Sequence, residues 1–245
     1  MPSEPVIDQG HDVKTILVVT AHPDDVDFGA AGSVATWTDK GIDVSYCIVT
    51  DGDAGGFDPA VARSEIPRIR REEQTKAAKT VGVTDLHFLG YPDGRLMPSI
   101  ELRRDISRVI RQVHPDRMLC PSPERNMTRI YASHPDHLAA GEASICAVYP
   151  DVRNPWAHPE LLQDEGLEPH TVPELWLMAA GNADRFVATT AQIDRKIAAL
   201  LCHESQMPDP GRMPKLITDW GATVAAMAGL PAGSYAEGFQ RIETA

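Results

Sequence analysis

The sequence predicts an α/β fold: one domain with a Rossmann-like, mostly parallel sheet flanked by helices. Three observations carry this. Ile16-Leu17-Val18-Val19 is a continuous apolar run rather than an alternating one, the pattern of a strand buried on both faces. Strand-like and helix-like segments alternate through the first half of the chain, which implies parallel strands joined by right-handed crossovers. A length of 245 residues suits a single domain over 1–245 and is enough to bury a substantial core.

The elements follow in order. Residues 1–13 are polar, contain Pro2, Pro5 and Gly10, and are expected to be a flexible N-terminus. Thr15–Thr20 is the first strand. Ala31, Val34, Ala35 and Trp37 recur at helical spacing and predict a helix over 29–40, with Gly41 to stop it. Asp43–Thr50 is the second strand, followed by a turn-rich stretch at 51–59. A charged amphipathic helix covers 65–81 and stops at Gly82. A short strand at 86–89 precedes a helix over 99–113, for which Ser99 is the N-cap. Another strand covers 117–120, ahead of Pro121. A helix is expected over 137–148, and the Pro-, His- and Asp-rich segment 149–173 is expected as a surface excursion. Glu174–Met178 is a later strand. A helix over 191–202, a Pro- and Gly-rich loop at 207–214, a helix over 216–227 and a closing segment at 235–242 complete the chain.

Composition excludes some classes. Apolar residues at 42% and charged residues at 24% are ordinary for a soluble globular protein. A net charge of −12 argues against a nucleic-acid backbone or an anionic membrane as partner. The first residues lack the basic start and apolar core of a signal peptide. No run approaches the ~18 apolar residues of a membrane span. Cys47, Cys120, Cys146 and Cys202 are far apart with no CxxC spacing, and are expected as reduced thiols of a cytoplasmic protein.

The chemistry concentrates in two motifs. Thr20-Ala21-His22-Pro23-Asp24-Asp25 stands where the first strand ends, and ligands of open α/β sheets sit outside the carboxyl ends of strands. One His and two carboxylates are delivered there. His22 and Asp25 are suitable ligands for a divalent metal, and Asp24 could act as a base beside them. The plain alternative, a helix start capped by Asp, is weakened by the neighbouring His. Ser133-His134-Pro135-Asp136-His137 supplies more of the same chemistry over a hundred residues later. His137 would complete a two-His, one-carboxylate set, the composition of several zinc hydrolases.

Ala21-His22-Pro23-Asp24-Asp25-Val26-Asp27-Phe28-Gly29, with the second motif, resembles the LmbE-like (PIG-L-type) family of zinc-dependent N-deacetylases. The resemblance extends through Arg70-Arg71-Glu72-Glu73, Gly90-Tyr91-Pro92-Asp93-Gly94, the stretch from Ala199 to Gln206, and Ala236-Glu237-Gly238-Phe239. It implies that His22, Asp25 and His137 bind zinc and that Asp24 is the general base. It implies that His134 stabilises an oxyanion or protonates the leaving amine. Asp136 would then orient the His134 ring and raise its pKa. Arg70 and Asp93 are implied to contact substrate. The implied reaction removes an acetyl group from an N-acetylglucosamine-type sugar or glycoconjugate. Zinc is the implied metal, although a mixed nitrogen and oxygen set also accepts Fe2+, Co2+ or Ni2+. Ala132 stands where some relatives of the thiol pathways carry a tyrosine, and Tyr131 is one residue off.

Other readings stay open. One is an amidase acting on a thiol conjugate or an antibiotic glycoside; another is a non-catalytic, metal-stabilised ligand-binding protein. Asp24 and His134 speak for catalysis, since neither is needed merely to hold a metal. A nucleotide-cofactor enzyme lacks the glycine fingerprint after the first strand. Asp27 reads as a helper acid near the metal or as an N-terminal helix charge, and His203 as a pocket residue or a structural contact. The glycines of 51–56 permit close backbone approach. Trp156, Trp176 and Trp220 read as packing residues, and the loops are compatible with a homo-oligomer.

Overall fold

The computed structural model describes residues 6–8, 10, 12–127 and 129–244. Eight strands form one sheet: β1 (Val6–Ile7), β2 (Thr15–Thr20), β3 (Asp43–Thr50), β4 (Asp85–Tyr91), β5 (Arg117–Pro121), β6 (Glu174–Met178), β7 (Arg185–Ala188) and β8 (Ala236–Glu243). Their order is β1-β7-β8-β6-β5-β2-β3-β4. The expected α/β class with a mostly parallel sheet is correct: β4, β3, β2, β5 and β6 run parallel. The exception is β8, which lies antiparallel to both β6 and β7. The closing segment thus enters the sheet between two strands.

Helices cover both faces. Ile16 and Val18 of β2 pack into one core with α1 (Asp25–Thr38) and α2 (Ile66–Thr80). Leu17 and Val19 point the other way, against α3 (Ile100–Val113) and α4 (Pro135–Cys146). Successive residues on opposite faces, both covered, explain the continuous apolar run. Gly141 allows α4 to lie close to β5: a Cβ there would stand 2.3 Å from the Pro121 carbonyl oxygen. Ser99 caps α3 as expected, its hydroxyl accepting from the Leu102 N–H.

Several expectations need correction. The helix expected at 29–40 starts four residues earlier, at Asp25, so its first turn already belongs to the His22 motif. Of the expected flexible stretch 1–13, residues 1–5, 9 and 11 lie outside the described residues. Within the rest, Val6–Ile7 pairs with β7, and the Asp8 carboxylate binds the buried Arg117 at 3.1 Å. The 149–173 segment is anchored rather than superficial. Val152, Leu161 and Val172 are buried, and α5 (Pro159–Gln163) forms within it. Buried Arg111 donates to the carbonyls of Val152, Asn154 and Leu167, and Arg103 forms a bidentate pair with Asp151. Polar composition hid these anchors, because the partners come from α3. Trp176 packs on Trp37 and Phe239, whereas Trp156 is exposed.

The remaining helices, α6 (Ile193–Leu200) and α7 (Met213–Met227), flank α1 and β8. Lys196 of α6 is buried, donates to the Phe28 carbonyl and pairs with Glu237 of β8. Glu237 also accepts the N–H groups of Gly32 and Ser33 in α1. This network ties the C-terminal strand to the helix that starts at the site. Among the described residues no helix is long and apolar enough to cross a membrane.

Candidate metal centre and its surroundings

The site forms at the carboxyl ends of the parallel strands, where open α/β sheets place their ligands. β2 ends at Thr20, and the chain turns through His22, Pro23 and Asp24 into α1. Asp24 carries φ 97° and ψ −28°, a left-handed conformation that an L-residue adopts at a cost. This turn reverses the chain sharply enough to bring Asp25 back over the strand end, where its carboxylate accepts the His22 N–H at 2.8 Å. From the second motif, the N-cap and first turn of α4 add His134, Asp136 and His137 to the same place.

The two ring nitrogens of His22 face two different neighbourhoods. On one side, Nδ1 lies 3.3 Å from Nε2 of His137 and 3.4 Å from Oδ2 of Asp25. Nε2 of His137 lies 3.0 Å from Oδ1 of Asp25. On the other side, Nε2 of His22 lies 3.1 Å from Asp93 and 3.3 Å from Asp136. The spacings on the Nδ1 side fit a divalent cation. Donor atoms at bond lengths of about 2.0–2.1 Å in a tetrahedron stand about 3.3 Å apart. His134 joins the same group, with donor atoms of His22, His134 and His137 all within 4.8 Å of one another. The residues present therefore can hold a metal.

The charges agree with this grouping. Burial works against a charged His22, but the carboxylates of Asp25, Asp136 and Asp93 outweigh it and hold the ring up to about 12. Burial likewise opposes a charged His137, and Asp25 lifts it above the ordinary range. Asp25 is held well below the usual carboxylate range by His137 and His22, against its burial. The same carboxylate, Asp25, thus draws both imidazoles toward positive charge. Asp24 differs. Burial, assisted by Asp25, pushes it up to about 6, although Arg70 pulls the other way.

Asp136 acts on a different partner from the one expected. Its carboxylate faces His22, and also accepts the N–H groups of Gly94 at 2.7 Å and Leu96 at 3.1 Å. Its backbone N–H, not its carboxylate, reaches Nδ1 of His134 at 3.2 Å. That contact leaves the His134 proton on Nε2. The His134 pKa is lowered, not raised: burial and the nearby His22 outweigh Asp136. His134 is the N-cap of α4 and Asp136, two residues on, lies in its first turn, with its carboxylate directed to His22 and the Gly94 and Leu96 N–H groups.

Arg70 is not a free arm. It is 3% exposed and donates to the Pro23 carbonyl, to Asp24 Oδ2 at 3.0 Å and to the Gly52 carbonyl at 3.1 Å. The glycines of 51–56 serve this side chain: a Cβ on Gly52 would stand 2.1 Å from Arg70 Nη1. Asp93 contacts His22, and its N–H is held by Asp53 at 2.8 Å. Sequence reasoning missed Gln74, which accepts the Asp24 N–H at 2.8 Å. A signal was present. Arg70, Gln74, Ala77 and Ala78 form the inner face of α2, so two polar residues occupy a stripe where apolar ones are the rule. Asp27 and His203 are fully buried and bind each other at 2.8 Å, a structural contact inside the fold.

A Rossmann-like α/β fold with paired His-Pro-Asp turns at the carboxyl end of its sheet defines a class of candidate metal-dependent enzymes. Within that class, the chain matches the PIG-L family, GlcNAc-PI de-N-acetylase, over residues 17–148. It belongs to this deacetylase family. It is 34% identical over 232 residues to diacetylchitobiose deacetylase of Thermococcus kodakarensis, covering 94% of this chain and 84% of that one. It is 35% identical over 140 residues to a probable N-acetyl-alpha-D-glucosaminyl L-malate deacetylase 2 of Bacillus cereus, covering 55% and 61%. Among structures, N,N'-diacetylchitobiose deacetylase from Pyrococcus horikoshii, complexed with its inhibitor MPG, superposes with a TM-score of 0.84. That match has 29% identity and covers 96% of this chain and 86% of the other.

Proposed function

We propose that this protein is a zinc-dependent N-deacetylase that hydrolyses the acetamide of an N-acetylglucosamine-type sugar or small glycoconjugate. The observation that carries the reading is the convergence of His22 Nδ1, Asp25 and His137 Nε2 within 3.0–3.4 Å, with the raised carboxyl of Asp24 beside them. A relative that matches over 94% of this chain is a diacetylchitobiose deacetylase, which supports an N-acetylated amino sugar as substrate.

His22, Asp25 and His137 would hold the metal. When bound, zinc supplies a Lewis acid for the acetyl carbonyl and lowers the pKa of a coordinated water; Fe2+, Co2+ or Ni2+ would suit the same donors. Asp24 is the general base, because its pKa of about 6 leaves it ionised at neutral pH yet basic enough to take a proton from attacking water. Arg70 aims that carboxylate rather than binding sugar. His134 is neutral and keeps its proton on Nε2, so it donates a hydrogen bond to the developing oxyanion. The amine then takes a proton from Asp24. Asp93 stands beside His22 and is the group best placed to accept sugar hydroxyls. We place the activity in the cytoplasm, in one domain spanning the chain, free or as a homo-oligomer.

The test is free-amine release from N-acetylglucosamine and N,N'-diacetylchitobiose by metal-stripped protein, with and without added zinc. Zinc-dependent release is expected. No release from protein with confirmed bound metal would overturn the substrate class, and failure to bind any divalent metal would overturn the mechanism.

A further inference from the structure

Asp24 combines two features that pull against each other. Its backbone is in the left-handed region at φ 97°, and its carboxylate must stay aligned beside the metal-binding residues. The Asp24 side chain does not cap α1, and within the turn itself the side-chain bond is that of the Asp25 carboxylate to the His22 N–H. Further support comes from distant parts of the chain. The Asp24 N–H donates to Oε1 of Gln74 at 2.8 Å. The amide of Gln74 then donates through Nε2 to Oδ2 of Asp27 at 2.9 Å. Nε2 of His203, from the segment after α6, meets the same Oδ2 at 2.8 Å. Gln74, Asp27 and His203 are all fully buried.

The polarity of this chain is forced. A backbone N–H can only donate, so Gln74 must present its oxygen to Asp24. Its NH2 therefore faces Asp27, which must accept. A carboxylate that already accepts from Gln74 can bind His203 only if His203 donates. Each bond has a fixed donor: Asp24 donates to Gln74, and Gln74 and His203 both donate to Asp27. Reversing one member leaves two donors or two acceptors facing each other without water to separate them.

We infer that Gln74, Asp27 and His203 are positioning residues for the reaction, a buried relay that holds the strained Asp24 turn so that its carboxylate stays aimed at the reacting water. This rests on the reading of Asp24 as the base. It assigns a job to the His203 segment, which lies far from the metal-binding motifs in sequence. The relay predicts a particular kind of damage. Its loss misaims a base without removing a metal ligand or a sugar contact, so kcat falls while KM and metal content hold.

The experiment compares Gln74→Met, which keeps the side-chain volume but cannot hydrogen-bond, with wild type and with the pair His203→Phe and His203→Gln. Four quantities are read: bound zinc, kcat, KM, and hydrogen exchange of the Asp24 amide. Gln74→Met is expected to retain zinc and KM, to exchange the Asp24 amide faster, and to lose about 10- to 100-fold in kcat. His203→Phe should move in the same direction, and His203→Gln, which restores an N–H donor, should recover part of the loss. Unchanged kcat and unchanged exchange in Gln74→Met would overturn the inference, as would a kcat loss that excess zinc restores. The exchange measurement needs no substrate. If wild-type protein with confirmed bound metal releases no amine from either sugar, the substrate class of the proposed function fails alone. Faster Asp24 exchange in Gln74→Met would then still uphold the relay, and unchanged exchange would discard it.

Discussion

Oδ2 of Asp136 lies 3.3 Å from Nε2 of His22, the nitrogen that faces away from Asp25 and His137. Two backbone N–H groups, of Gly94 and Leu96, fix the same carboxylate in place. This locks the His22 ring with its Nδ1 toward the other donors, the arrangement by which outer carboxylates orient metal-binding histidines. Asp136→Asn should therefore weaken zinc binding by about 10- to 100-fold, because one amide oxygen cannot serve the ring and both backbone donors. Calorimetric titration of zinc into metal-stripped protein measures this, and an unchanged affinity would contradict it.

Asp24→Asn should leave zinc binding intact and reduce amine release by about 10²- to 10⁴-fold, the usual contribution of a positioned general base. Metal analysis alongside the turnover assay separates this from ligand loss. Turnover equal to wild type would remove Asp24 from the mechanism.

Zinc affinity should rise with pH. In the metal-free protein His22 holds its proton up to about 12, and His137 is also raised above its ordinary value. A metal held by these residues would bind their neutral rings, so loading would expel those protons, and affinity should climb by about tenfold per pH unit for each proton expelled. Turnover has its own limit: Asp24 must be ionised, so kcat falls as pH drops through about 6 or below. Titrations and rate profiles across the acid range check both signs. An affinity that falls as pH rises would refute the charge assignment.

Gly52→Ala should damage both stability and activity. Its φ is +61°, and the new Cβ would stand 2.1 Å from Arg70 Nη1. Arg70 cannot retreat without releasing Asp24 and the Pro23 carbonyl. A loss of about 1–3 kcal/mol is expected from the overpacking, read as a lower urea midpoint, together with slower turnover.

Glu237→Ala should be more costly, although it lies away from the reacting groups. It leaves Lys196 buried without its anion and strips acceptors from the Gly32 and Ser33 N–H groups. About 3–5 kcal/mol is the scale for breaking a buried pair from one side. A variant of unchanged urea midpoint would show the pair to be dispensable.

Much of the fold was legible in local patterns. Thr15–Thr20, Asp43–Thr50 and Glu174–Met178 form strands where the sequence predicts them, because a strand buried on both faces must be apolar throughout. Strand β7 and the pairing of β1 were not legible. Each is short, and only its neighbour across the sheet makes it a strand. The anchors of 149–173 were hidden for the same reason, since Arg111 and Arg103 lie on another helix.

The sequence by itself determined the chemistry available: two His-Pro-Asp turns, their histidines and carboxylates, and the place of the first at the end of a parallel strand. Motif spacing carries that much, because a strand end and a helix start are local events. Tertiary structure decided which group serves which. It turned Asp136 toward His22 instead of His134, buried Arg70 against Asp24, and brought Gln74, Asp27 and His203 into one hydrogen-bonded chain. Those partners are 46 to 176 residues apart. Their pairing depends on where a buried donor finds its acceptor once water is excluded, and only the folded chain settles that.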